Sequence, residues 1–244
     1  MKRLVSEQSL SIVNLKRLLQ VDRWLYPPVC LSCGLAGRPE IDLCAGCEAD
    51  LELLDTGCRR CGLELERTVE LCGRCTTRLP KFTAAWPGYA YRGQLERLIQ
   101  RFKFHGDLAA GRVLARLLAG RLASMAAPRP DLMVPVPLHP RRRLRRGFNQ
   151  AALLARDLGA HLGGLPWLEV LQRRRSTRAQ SDLPAERRRG NVRGAFEIDR
   201  LPSGARYIAL VDDVMTTGST LDECARVLLR SGVDRVDVWV VARA

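Results

Sequence analysis

Apolar residues recur at helical spacing near the start of the chain. Leu4, Leu10, Val13, Leu15, Leu18 and Leu19 stand among polar neighbours, which predicts an amphipathic helix over residues 4–19, closed by Trp24-Leu25-Tyr26-Pro27-Pro28. Pro80 marks the exit from a cysteine-rich stretch. The pattern then predicts a strand over 84–91, helices over 94–104 and 108–123 joined at His105-Gly106-Asp107, and a short buried strand over 131–137 that runs into a proline loop. A helix is predicted over 149–162, with apolar positions at Ala152, Leu153, Ala155, Leu158 and Leu162. Residues 172–190 are rich in arginine and show no periodicity, which predicts a mobile loop. Tyr207-Ile208-Ala209-Leu210-Val211 is an apolar run of the buried parallel-strand type. A helix over 220–230 with Leu221, Ala225, Val227 and Leu228 inward, and a strand over 236–241, complete the chain. Strands alternating with helices imply an α/β fold with a parallel sheet and right-handed crossovers.

The cysteines change this picture at the N-terminal side. Eight of the nine form four C-x-x-C pairs: Cys30/Cys33, Cys44/Cys47, Cys58/Cys61 and Cys72/Cys75. Ten residues separate the second cysteine of one pair from the first of the next in each half, and the second half repeats the first at a period of 28. Zinc takes four soft ligands in a tetrahedron, and a C-x-x-C turn supplies one edge of it. Two structural zinc sites are expected, closed to chemistry because four thiolates leave no open position. Iron–sulfur ligation is the competing use of such thiolates, and disulfides would need an oxidising compartment that nothing in the sequence supports. The spacing leaves open whether neighbouring pairs share a metal. Gly34, Gly46, Gly62 and Gly73 suit tight turns beside the cysteines, where positive φ is often needed. Cys224, in a helical pattern, is expected to be a buried thiol.

The 244 residues allow one sizeable domain and a small appendage, placed at 81–244 and 1–80. No apolar run approaches ~18 residues, so no membrane insertion is expected, and a cytoplasmic protein is read. The formal charge is +14. With two zinc ions held as tetrathiolates it falls to about +10, still a balance that favours anionic partners. A solvated, arginine-rich surface gives the same number.

The segment from Val211 to Thr220 carries the functional argument. A strand is read as ending at Val211, followed by Asp212 and Asp213, then Met215-Thr216-Thr217-Gly218-Ser219-Thr220, then a helix. Ligands of parallel sheets bind beyond the carboxyl ends of the strands. The turn offers backbone amides and hydroxyls to a phosphate, and Gly218 permits close approach. The two carboxylates suit sugar hydroxyls or a Mg²⁺ on a pyrophosphate. Ordinary capping at Ser219-x-x-Asp222 or Thr220-x-x-Glu223 is expected alongside.

This segment resembles the 5-phosphoribosyl-1-pyrophosphate (PRPP) signature of type I phosphoribosyltransferases. Lys103-Phe104-His105-Gly106-Asp107, Val134-Pro135-Val136-Pro137-Leu138, Arg145-Arg146-Gly147-Phe148-Asn149-Gln150-Ala151 and Arg188-x-x-Asn191-Val192-x-Gly194-Ala195-Phe196 resemble the ComF family of competence proteins, as does the cysteine region. The resemblance implies a type I phosphoribosyltransferase-like sheet flanked by helices behind a double zinc ribbon. It implies that Asp212 and Asp213 contact the ribose, that Thr216, Thr217, Gly218, Ser219 and Thr220 hold the 5′-phosphate, and that Pro137, Leu138 and His139 lie near pyrophosphate. Mg²⁺ with PRPP would be the bound species, and DNA uptake the setting, with single-stranded DNA and a helicase as the partners the resemblance implies. No pattern names an acceptor base.

Three arginine clusters remain: residues 141–143 with 145–146, Arg173-Arg174-Arg175 with Arg178, and Arg187-Arg188-Arg189 with Arg193. Pyrophosphate capture by a closing loop, a nucleic-acid track and a solvated surface are all open to them. Two function classes follow: a phosphoribosyltransferase of unknown acceptor, or a non-catalytic phosphoribosyl-ligand or single-stranded-DNA-binding accessory protein.

Overall fold

The computed structural model describes residues 27–174 and 194–244, apart from the side chain of Arg145. The helix expected over 4–19, and the part of the expected loop from 175 on, lie outside these residues. Two compact units are distinguished, one ending at Ala49 and one running from Asp50 to Ala244. The division falls between the two cysteine repeats.

The first unit holds Cys30 to Cys47 on two short antiparallel bridges, Val29 with Ala36 and Arg38 with Ile41, and the helix α1 (Ala45–Ala49). The second unit opens with the second repeat, which includes α2 (Gly73–Thr77), and continues through β1 (Ala84–Ala90), α3 (Gly93–His105), α4 (Leu108–Ser124) and β2 (Leu132–Pro135). Then come α5 (Pro140–Arg146), α6 (Gln150–His161), β3 (Leu171–Arg173), β4 (Phe196–Ile198), β5 (Tyr207–Met215), α7 (Ser219–Arg230) and β6 (Arg235–Arg243). The main sheet has the order β1-β6-β5-β2, parallel throughout. The fold class is therefore the expected one, a parallel sheet flanked by helices behind a zinc-ribbon-type region.

Alternation along the strands assigns two apolar layers. Leu132, Val134, Ile208, Leu210, Val236, Val238 and Val240 pack in one cluster with Leu221, Cys224, Ala225 and Leu228 of α7 and Phe196 of β4. The intervening positions, such as Met133, Ala209 and Val211, lie on the other side, where α4 and α6 pack on the sheet. Cys224 is fully buried in the first layer.

Two elements differ from the sequence reading. Gln172 and Arg173, expected in a mobile loop, form β3, which pairs antiparallel with β4. The arginine run after the proline loop is a helix, α5: Pro140 occupies its first turn, and His139 caps it by accepting the Arg141 amide on Nδ1 at 3.2 Å. Proline at a first helical position has its fixed φ and missing N–H at no cost.

Candidate functional site

The strand that carries the acids is longer than the sequence suggests. β5 runs to Met215 instead of ending at Val211, because β6 continues alongside and pairs Asp212 with Val240, Val214 with Ala242 and Met215 with Arg243. The ladder thus overrides the poor strand propensity of aspartate. Successive strand residues point to opposite faces, so the two acids have separate surroundings.

Asp213 is 4% exposed. Its Oδ1 accepts from the Val214 amide at 2.7 Å and from Lys103 Nζ at 3.0 Å, the lysine coming from the last turn of α3. Burial works against the Lys103 ammonium, but Asp213 and Asp212 outweigh it and raise its pKa. Asp212 is half-buried and accepts the Asp213 amide at 2.9 Å. Burial, then the charge of Asp213, push its carboxyl up to about 7, against the opposing pull of Lys103 and Arg173. Arg173 itself is buried, with its guanidinium 5.3 Å from the centre of the Phe196 ring. The sequence reading placed Arg173 in the second arginine cluster, within an expected mobile loop, and left its role open. The alternation Leu171-Gln172-Arg173 facing Phe196-Glu197-Ile198 was the available signal, but three residues a side is too short to stand out.

After Met215 the chain turns through Thr216 and Thr217 to Gly218, which caps α7 in the left-handed conformation at φ 74°. A Cβ there would also lie 2.6 Å from Met215 Cε, which would have to swing aside, and the positive φ strains any residue with a side chain. The helix begins at Ser219, one residue before the expected start, and neither expected capping box forms. Gly218 has no side chain to cap with. The Asp222 carboxylate instead accepts the Lys81 amide, and Glu223 accepts the Gly194 amide at 2.6 Å and pairs with Arg226. The Thr217 and Ser219 hydroxyls are 2.9 Å apart, and Thr220 is half-buried.

The proline loop leaves the sheet at the same edge, since β2 is parallel to β5 with Pro135 opposite Val211. The Val136 amide donates to the Val211 carbonyl at 2.9 Å, and the Asn149 side chain donates to the Val136 carbonyl at 3.2 Å, which pins the loop at both strands. Pro137 is buried and Leu138 half-buried. Burial, then the nearby Arg173, Arg141 and Arg142, lower the pKa of His139 from its ordinary value. Arg173 thus acts electrostatically on both Asp212 and His139. The residues predicted for the sugar phosphate, Asp212, Asp213, Pro137, Leu138, His139 and those from Thr216 to Thr220, fall at this one sheet edge or on the elbow beyond it.

The eight paired cysteines form two clusters, each built from neighbouring pairs: Cys30, Cys33, Cys44, Cys47 and Cys58, Cys61, Cys72, Cys75, with the ligand atoms of each within 4.8 Å of one another. Sulfur–sulfur distances of 3.7 Å for Cys33–Cys44, 3.6 Å for Cys61–Cys72 and 3.9 Å for Cys58–Cys75 match the edge of about 3.8 Å that a tetrahedron with ~2.3 Å zinc–sulfur bonds requires. The repeat of 28 recurs in the hydrogen bonds. The Cys30 amide donates to the Leu35 carbonyl and the Gly34 amide to that of Cys30, and the Cys58 and Gly62 amides make the matching bonds to Leu63 and Cys58. Of the four glycines, only Gly34 and Gly62 take positive φ; Gly46 and Gly73 lie in the helices α1 and α2.

The clusters differ in their surroundings. Cys33 is exposed and Cys44 half-buried, whereas all four cysteines of the second cluster are buried among Phe82, Ala85 and Met215 of the sheet core. Arg243, buried at the end of β6, ties this cluster to the elbow: Nε donates to the Cys61 carbonyl at 3.4 Å and Nη1 to the Met215 carbonyl at 3.1 Å. Cys72 lies at about 7, since burial is outweighed by hydrogen bonds from the Cys75 amide and the Cys61 and Cys75 thiols, while burial pushes Cys75 well up. Zinc would remove this asymmetry by holding all four as thiolates.

Fold and clusters together define an α/β protein with two four-cysteine clusters and a glycine-capped strand-to-helix elbow. A family model described as a double zinc ribbon domain matches residues 21–76. The chain is 41% identical over 162 residues to "Competence protein F" of Haemophilus influenzae, covering 63% of this chain and 70% of that protein. It is 40% identical over 158 residues to "DNA utilization protein YhgH" of Salmonella typhi, covering 63% and 69%, and 30% identical over 144 residues to "Competence protein ComFC" of Bacillus subtilis, covering 59% and 57%. The chain belongs to the ComF family of competence proteins. Among the described residues no helix is long and apolar enough to cross a membrane.

Proposed function

We propose that this chain binds PRPP or another ligand containing ribose 5-phosphate at the elbow, and that it serves DNA uptake; the names of its relatives, which speak of competence and of DNA utilization, support that setting. One observation carries the reading: two carboxylates on the last turns of a central parallel strand, directly before a left-handed glycine and a helix whose capping residue has no side chain to cover the first amides. In this reading Asp212 and Asp213 accept hydrogen bonds from the ribose hydroxyls. The amides and hydroxyls of residues 216–220 take the 5′-phosphate, and Pro137, Leu138 and His139 border the pyrophosphate. Mg²⁺ would supply charge neutralisation of the pyrophosphate as it leaves. Transfer breaks the C1–O bond through an oxocarbenium-like state, and the leaving electron pair stays on pyrophosphate while an acceptor bonds to C1. Lys103 and Arg173 keep the paired acids tolerable in each other's company. The test is calorimetric titration of PRPP with and without Mg²⁺ on wild type and on Asp212→Asn/Asp213→Asn. Mg²⁺-dependent binding lost in the variant is expected; equal binding by both proteins ends the assigned role of the acids.

A second reading keeps the ligand site without turnover, as an accessory to single-stranded DNA and a helicase. It is supported by α5, which presents the exposed Arg141 and Arg143 at the same sheet edge. Pyrophosphate release with any acceptor separates the two. Affinity for single-stranded DNA that falls with salt, and falls less steeply once these arginines are replaced, belongs to the second.

A further inference from the structure

On the flank of the sheet where Asp213 meets Lys103, α3 ends in residues that the ribose reading leaves unused. The helix stops at Gly106, which takes the left-handed conformation at φ 67°. Phe102 is fully buried and stacks on Phe148, with ring centres 5.8 Å apart. Phe104, two residues on, is 66% exposed, and it is the one exposed aromatic side chain among the described residues. A single apolar side chain at a surface needs no explanation by itself. Two contacts set this one apart. Arg146, the last residue of α5, lays its guanidinium over the ring, with Cζ 5.5 Å from the ring centre. The residue before Phe104 is Lys103, which donates to Asp213 at 3.0 Å, and the charge of Arg146 is felt at Lys103. Phe104, Arg146, Lys103 and Asp213 thus form one continuous group that runs from the surface to the strand end. It joins α3 to α5, the helix that follows the loop 137–139. One face of the Phe104 ring lies on a cation, and its exposure leaves the other face open to a second flat partner.

We infer that Phe104, backed by Arg146, seats a planar nitrogen heterocycle on C1 of the ribose, so that the acceptor is a ring base and the product a nucleotide. This deepens the ribose reading above and rests on it. Asp213 is there assigned to the ribose hydroxyls, and a group bonded to C1 lies within one sugar of them. The aromatic ring therefore stands where a flat acceptor can stack beside the sugar. Ammonia or an aliphatic amine would gain nothing from such a surface, whereas every base has a π-face. In the transfer a ring nitrogen bonds to C1 as the C1–O bond breaks. The electron pair of that bond leaves with pyrophosphate, and the N–H proton of the acceptor goes to solvent. Phe104 takes no part in the bond changes; it orients the ring.

The experiment titrates zinc-loaded full-length protein with ribose 5-phosphate and with the adenine, guanine, cytosine and uracil nucleoside 5′-monophosphates. Wild type is expected to bind at least one nucleotide about tenfold more tightly than ribose 5-phosphate. Because Phe104 is exposed, Phe104→Leu should fold as wild type, with circular dichroism and zinc content as controls. In that variant the nucleotide should fall to the affinity of ribose 5-phosphate, which itself stays unchanged. Phe104→Trp should keep the preference and gain a fluorescence that the nucleotide quenches and ribose 5-phosphate does not. A preference that survives Phe104→Leu, or an equal loss of both ligands, overturns the seat. So does a single-stranded oligodeoxynucleotide that competes at Phe104 as well as the best nucleotide, since the ring would then belong to a strand. Ribose 5-phosphate binding with no gain from any ring removes the seat and leaves the ribose reading standing. Phe104-dependent nucleotide binding that is indifferent to Asp213→Asn removes the ribose reading and leaves the seat. Binding of neither ligand ends both.

Discussion

The two cysteine repeats share their cysteine spacing and their local hydrogen bonding, yet they do different work. In the first, the cluster lies in a small unit with one exposed cysteine, and its order rests on the metal and a few turns. In the second, four buried sulfurs belong to the apolar layer that also holds α7, and Arg243 links their turn to the last carbonyl of β5. One sequence pattern thus yields a self-contained ribbon and a structural wall of the sheet domain. What distinguishes them is the neighbouring chain, not the ligands.

The sharpest way to break the comparison is to remove a ligand from each. Metal binding in such sites is folding free energy, of the order of 10 kcal/mol or more in isolated zinc peptides. Cys61→Ser is expected to abolish cooperative melting of the sheet domain, followed by circular dichroism and zinc content. Cys33→Ser is expected to lower the zinc content by one and to be felt at residues 27–49. Equal damage at the sheet from both would erase the distinction. Next in size is Arg243→Gln, which takes the side-chain donor from the Cys61 carbonyl and one of two donors from the Met215 carbonyl, which keeps the Ala244 amide. A loss of about 2–3 kcal/mol in denaturant unfolding is expected, with faster amide exchange at residues 216–220, and Arg243→Lys should recover part of it. The glycines give a finer comparison. Gly34→Ala and Gly62→Ala both force an L-residue into positive φ, but a Cβ at Gly34 meets open space, whereas at Gly62 it comes 2.7 Å from Pro87 Cγ. Gly62→Ala should therefore cost about 1–2 kcal/mol more than Gly34→Ala in the stability of its own unit.

The smallest effect concerns Asp212. Folding raises its carboxyl from the ordinary value of 3.8 to about 7, so the fold favours the protonated form. That contribution is complete below about pH 4 and is lost as the pH rises through 7. Asp212→Asn, neutral throughout, should melt a few degrees above wild type at pH 8, with the gap narrowing as the pH falls and closing only near pH 4. A constant gap would show that the titration of this acid does not matter to the fold.

Much of this was legible in the chain. The long helices and the β5–β6 core announce themselves because burial on one face leaves a period, and the tetrathiolates because zinc fixes ligand spacing. The rest depended on partners distant in sequence. Asp212 and Asp213 continue a strand only because β6 runs alongside, and β3 exists only because Phe196-Glu197-Ile198 returns to it. Asp222 and Glu223 had the right spacing to cap α7 but are drawn off by the Lys81 and Gly194 amides. The burial of the second cysteine cluster could not be read from residues 58–75, which carry seven charged residues against three in 30–47 and so point the other way.

Because β5 stays a strand through its two acids, Asp213 turns toward Lys103 and Asp212 toward Arg173, one on each side of the sheet. Anything that engages both must straddle the strand end like a rider, in touch with the helix on one flank and the small hairpin-like ladder on the other. Occupancy then becomes a rivet through the sheet's margin, and either flank could pass the news of it to whatever docks there.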